Sequence, residues 1–88
     1  MKTIWKYSLT PGNTKFCVPA GGIIRHVDEQ FGNICLWIEV NTDSAEELRS
    51  FAVYATGQKN SEENIKYLGS VKLEGGALVY HVYERLKC

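Results

Sequence analysis

Apolar and polar residues alternate along most of this chain with a period of two, the spacing of a β-strand whose side chains point to opposite faces. Lys2 to Tyr7 sets Lys2, Ile4 and Lys6 against Thr3, Trp5 and Tyr7. Pro11-Gly12-Asn13 predicts a turn, and Thr14 to Val18 a short second strand closed by Pro19, which has no N–H to give to a ladder. After a bend at Gly21-Gly22, Ile23 to Glu29 and Asn33 to Val40 read as a third and a fourth strand. Between them, Gln30-Phe31-Gly32-Asn33 carries the Gly and Asn of a tight hairpin. In the fourth strand Ile34, Leu36, Ile38 and Val40 share the face expected to be core, with Cys35, Trp37 and Glu39 opposite.

Asn41 to Leu48 breaks the alternation, and its Ser44-Ala45-Glu46-Glu47 spacing matches a capping box, predicting a single helical turn. Arg49 to Thr56 resumes the strand pattern, with Phe51, Val53 and Ala55 opposite Ala52, Tyr54 and Thr56. The longest polar stretch, Gly57 to Asn64, is the expected mobile loop. Ile65 to Leu73 is a sixth strand, and Gly75-Gly76 leads to a seventh, Ala77 to Arg85, in which Val79, His81 and Tyr83 face away from Leu78, Tyr80 and Val82. The expected fold is mostly β: one domain over residues 1–88, a small antiparallel barrel or sandwich of about six to seven short strands with at most one short helix.

Composition changes this picture mainly by exclusion. A chain of 88 residues holds one core and buries roughly 60–65% of its unfolded surface, so it folds with little margin and gains from association. Ten basic and ten acidic residues cancel and are interleaved. No basic block tracks a phosphate backbone, which argues against binding a DNA or RNA polymer. Two or three well-placed donors still suffice for a small anion. The cysteines are Cys17, Cys35 and Cys88, an odd number without a CxxC. With no secretory signal in the opening residues, they read as free thiols of a reducing cytosol, Cys17 and Cys35 in the core and Cys88 on the tail. No apolar run approaches the roughly 20 residues of a spanning helix, so no membrane association is expected.

Chemistry is sparse. His26, His81 and the cysteines show no metal-ligand spacing, and no phosphate-loop or dinucleotide fingerprint occurs, so neither a metal nor a cofactor is expected. No local motif joins a nucleophile to a base, and Glu46, Glu47, Glu62 and Glu63 fall in segments read as solvated turns. No catalytic residue is assigned. The supply of amphipathic rings is more informative: Trp5, Tyr7, Trp37, Tyr54, Tyr67, Tyr80 and Tyr83 are many for so small a core. Some fill it or clamp its ends; others are free to hold a planar partner. Trp37 and His81 stand on the less apolar faces of their strands, Arg25 sits beside His26, and Thr56-Gly57-Gln58 offers a hydroxyl, a backbone N–H and an amide after a strand. The candidate ligand-binding set is Trp37 and Tyr83 for stacking, Arg25 for a phosphate, and His26, Thr56, Gly57, Gln58 and His81 for hydrogen bonds.

Several segments, in order along nearly the whole chain, resemble a family of small phage-encoded proteins catalogued as a domain of unknown function. They are Ile4-Trp5-Lys6-Tyr7, Ile24-Arg25-His26-Val27, Leu36-Trp37, Phe51 to Gln58, Tyr67-Leu68-Gly69-Ser70, and Gly75-Gly76-Ala77-Leu78-Val79-Tyr80-His81-Val82-Tyr83-Glu84. The family commonly carries Gly-Thr-Gly-His where this chain has Ala55-Thr56-Gly57-Gln58, so a role needing that titratable ring is in doubt here. The size and pattern are also similar to phage sponges that sequester cyclic dinucleotides such as 3'3'-cGAMP and starve the effector of CBASS anti-phage defence. That resemblance implies a homo-oligomer in the host cytoplasm that captures its ligand stoichiometrically near subunit interfaces and leaves it intact. The alternative expectation is a phage protein that inhibits a host protein through the same aromatic surface.

Overall fold

The alternation resolves into seven antiparallel strands in a computed structural model, which describes residues 1–86. They are β1 (Lys2–Leu9), β2 (Lys15–Pro19), β3 (Ile23–Gln30), β4 (Asn33–Asn41), β5 (Glu46–Ala55), β6 (Ile65–Leu73) and β7 (Leu78–Arg85). Two sheets form, a three-stranded one in the order β1-β4-β3 and a four-stranded one in the order β2-β5-β7-β6. The barrel alternative falls away: the sheets stay separate and stack as a sandwich, with β3 over β6 and β2 beneath β4.

Their facing sides supply the core. Leu9, Ile34, Leu36, Ile38 and Val40 come from one sheet and Val18, Phe51, Val71 and Val82 from the other, all buried. Tyr7 leans on Phe16 with ring centroids 5.5 Å apart, and Phe16 in turn on Phe51 at 6.3 Å, closing one end of the stack. Gly22 is fixed by packing, since a Cβ there would lie 2.9 Å from Ile38 Cγ2 and 3.1 Å from Val18 Cγ1. At the β3–β4 hairpin Phe31 and Gly32 have φ of 52° and 80°. Positive φ at both central residues is the mark of a type I′ turn, whose twist matches that of its strands.

Three sequence expectations are corrected. The Ser44–Glu47 segment is no helical turn: Thr42 and Asp43 turn the chain, and Glu46 and Glu47 already pair with Pro19 and Val18. Glu46 and Glu47 therefore lie in a strand rather than a turn. The helical content of the described residues is one short 3₁₀ turn at Glu74–Gly76. Cys17 is exposed on β2, because Phe16 and Val18 take the inward positions around it. Cys35 is buried although it faces outward on β4. Lys6 Nζ, reaching 2.5 Å to Gln30 Oε1 from the far side of β4, passes over it. The tail thiol Cys88 lies outside the described residues.

Candidate ligand-binding site

The sites of the two histidines follow from ladder register. On the outer face of the three-stranded sheet Trp37 of β4 stands between Lys6 of β1 and His26 of β3. The His26 ring leans on Trp37 with centroids 5.4 Å apart, and its Nε2 lies 3.3 Å from Asp28 Oδ2. On the opposite side of the molecule, the outer face of the four-stranded sheet lines up Tyr54, His81 and Ser70 in one row and Ala52, Tyr83 and Tyr67 in the next. His26 and His81 thus stand on different faces of one chain, and the sequence-derived set divides between them.

On the second face the polar groups form a continuous chain. Tyr67 Oη is 2.5 Å from Ser70 Oγ, Ser70 Oγ 2.8 Å from His81 Nδ1, His81 Nε2 2.7 Å from Thr56 Oγ1, and Thr56 Oγ1 3.4 Å from the Val79 carbonyl. The Thr56, Ser70 and Tyr67 hydroxyls can each donate and accept, and the direction along the chain follows the His81 tautomer. The exposed Tyr67 hydroxyl ends the chain. Tyr83 packs edge-on between Tyr54 at 6.0 Å and Tyr67 at 5.5 Å. Gly57 and Gln58 close the turn after β5: the Gln58 amide oxygen accepts from Ala55 N–H at 2.9 Å, and its backbone N–H donates to the Ala55 carbonyl.

The two faces meet at the seam between β3 and β6. Here both edge strands carry a bulge, at Arg25 between Ile24 and His26 and at Leu68 between Tyr67 and Gly69. A bulge adds an unpaired residue and re-aims its neighbours. The two together open a cleft of about 590 Å³ walled by Arg25, His26, Val27, Lys66, Tyr67 and Ser70, with Gly22, Arg49 and Glu84 at one side. Arg49 clamps Glu84 through two bonds, Nε–Oε2 at 2.6 Å and Nη2–Oε1 at 2.8 Å, and gives Nη1 to the Gly22 carbonyl at 2.5 Å. That clamp raises the Arg49 pKa above its ordinary value, the Glu84 bonds outweighing burial. Three cations, Arg25, Arg49 and Lys66, thus line the cleft against one carboxylate, Glu84. Arg25 also bonds Glu39 at 3.1 Å, outside the cleft wall, while half of its side chain stays exposed.

The structure therefore places Arg25 and His26 in the cleft, sets Trp37 beside His26, and puts His81, Thr56 and Tyr83 around the corner beyond Tyr67 and Ser70. Lys66, Tyr67 and Ser70 join the site although the sequence-derived ligand-binding set did not include them. Counting back along both strands from the Gly75-Gly76 turn puts Ser70 opposite His81, a signal that was present but depended on the turn length. Ser70 touching an imidazole is the first contact of a nucleophile–base pair. Here the other ring nitrogen meets a neutral Thr56 hydroxyl, which does little to stabilise an imidazolium. Among the described residues no group of three His, Cys, Asp or Glu converges to hold a metal ion, and no helix is long and apolar enough to cross a membrane.

These features define a two-sheet antiparallel β domain with a basic cleft at one seam and a tyrosine-rich outer face. The chain belongs to the domain family of unknown function DUF7352, which matches residues 1–87. Neither the curated proteins nor the solved structures compared with it contain a match to this chain.

Proposed function

We propose that this protein captures a cyclic dinucleotide, such as 3'3'-cGAMP, without cleaving it, as a phage-encoded sponge that withholds the signal from CBASS defence in the host cytoplasm. The doubly bulged cleft between β3 and β6 carries the reading. Its lining carries three cations against one carboxylate. Arg49 is held by Glu84 and Arg25 is shared with Glu39, which leaves Lys66 and the exposed half of Arg25 to meet the phosphodiesters of such a ring. Arg25 and Lys66 suit the phosphates, Arg25 as a planar fork and Lys66 as a point charge. Tyr67 and Tyr83 offer flat apolar area to a base, and the exposed Tyr67 hydroxyl offers a hydrogen bond to its edge. His26, Ser70 and the His81–Thr56 pair supply further hydrogen bonds. The working form is a homo-oligomer, which would extend the aromatic surface around a ligand with two bases.

Thermal unfolding against a panel of cyclic di- and trinucleotides tests this. A ligand at 100 times its Kd stabilises a folded chain by about 2.7 kcal/mol, a rise on the order of 10 °C or more for a domain this small. Arg25→Ala and Lys66→Ala should each remove the rise while leaving the free protein's melting point within a few degrees, because both side chains are exposed. The bound nucleotide should elute chemically unchanged after denaturation. No shift across the panel rejects the proposal, and a hydrolysed product makes the protein an enzyme instead.

One observation favours a second reading, inhibition of a host protein. Ile4 and Ile23, 52% and 49% exposed, flank Glu39 on the outer face of the three-stranded sheet, one row from Trp37. A ligand-independent host partner lost on Ile4→Asp or Ile23→Asp would support it.

A further inference from the structure

Phe31 is the most exposed large apolar residue of the described chain, at 89%, and it sits at the tip of the β3–β4 hairpin with φ of 52°. Few non-glycine residues adopt that conformation, and a bulky ring is a poor choice there beside Asn, Asp or Gly, the usual first residues of a type I′ turn. The ring gives its own domain no packing in return for a disfavoured backbone. Strain of this kind at an exposed tip points to a contact outside the domain.

A matching slot opens at the same end of the molecule. Ahead of the start of β2 the seam between the sheets gapes over about 460 Å³, lined mostly by apolar Leu9, Pro11, Ile34, Leu73 and Tyr80, with Arg85 among them. Gly32 and Asn33, the residues directly after Phe31, form part of its rim. A protruding ring and an apolar slot side by side on one surface are the two halves of an isologous contact, in which each copy gives and receives the same group about a two-fold axis. The formal net charge of zero removes the long-range repulsion that keeps strongly charged chains apart.

We infer that the protein pairs with a second copy of itself through this end, the Phe31 ring of each copy entering the slot of the other. The inference does not rest on the nucleotide reading, because pairing is measured on the intact chain with no nucleotide present. Sedimentation from low to high micromolar concentration should show the native chain passing from one copy to two. Phe31→Asn should remain a single copy throughout, and its melting point at low concentration should equal or exceed that of the native chain, since Asn suits the turn. Phe31→Leu should keep the pair, and Thr10→Trp, which crowds the slot from its rim, should lose it. A native chain that stays single over the whole range overturns the proposal. So does a Phe31→Asn chain that still pairs, or a Thr10→Trp chain that pairs as the native one does.

Discussion

Arg49 uses all three of its guanidinium nitrogens inside the protein, two on Glu84 and one on the carbonyl of Gly22. Glu84 lies on β7 of the four-stranded sheet and Gly22 directly before β3 of the other, so one side chain ties the two layers together at the cleft. Both partners of the ion pair are about 15% exposed, enough shielding for charged hydrogen bonds to count. Arg49→Ala should lower stability by about 2–4 kcal/mol, through the lost bonds and the Glu84 carboxylate left half-buried. Arg49→Lys should recover only part, because an ammonium cannot make the paired contact; denaturant melts of the three proteins check both. In the sequence Arg49 is only the first residue of a strand pattern. Its partners lie 27 and 35 positions away, and no local spacing shows them. Of the candidate residues, Trp37, His81 and Tyr83 were legible because strand alternation tells which side chains leave the core, whereas the adjacent Arg25 and His26 both reach the cleft only through the bulge at Arg25. At Gln58 the amide oxygen accepts from Ala55 N–H, a contact that local spacing does not show.

At the scale of elements, the loop from Gly57 to Asn64 has the composition of a mobile connection, yet Gln58 and Asn64 are bonded at its ends and Glu62 is anchored within it. Glu62 accepts from Tyr54 Oη and from Arg85, whose Nε lies 2.6 Å away. Arg85 and then Tyr54 hold the Glu62 carboxyl below its ordinary pKa, and the same contact raises that of Tyr54. A carboxylate with a depressed pKa contributes its anchoring above the unfolded value, about 4.3, and loses it as pH falls through the lower folded value. Amide resonances of Ser61 to Glu63 should therefore hold one set of positions at neutral pH and move toward random-coil values on acidification below the usual carboxylate range. Glu62→Gln should show the moved positions already at pH 7, and unchanged resonances in that variant would mean the anchor lies elsewhere. The Ser44–Glu47 segment failed for a related reason. A capping box contributes only about 1 kcal/mol, whereas extending β5 gives β2 its ladder partner and lets Ala20 N–H reach the Ala45 carbonyl at 2.7 Å. Local preference lost to pairing that only the folded chain supplies.

For the molecule as a whole, the core is a single layer between two small sheets, and Phe51 is the largest side chain fully buried in it. Phe51→Ala should cost about 3–5 kcal/mol, a large part of the 5–15 kcal/mol that holds a typical domain together. Circular dichroism should find that variant substantially unfolded at 37 °C, and a folded Phe51→Ala chain would mean that the core depends less on this ring than its burial implies. The alternation of side chains is a property of each strand alone, so it carried the all-β class, a count of about six to seven strands, most of their limits and the core face of β4. Sheet membership is different. Which strands become neighbours depends on hydrogen bonds between residues far apart along the chain, and alternation is the same whichever partner a strand takes. Long-range pairing therefore put β4 between β1 and β3, β7 between β5 and β6, and the edges of β3 and β6 opposite each other with a bulge on each. The cleft exists because those two edges meet.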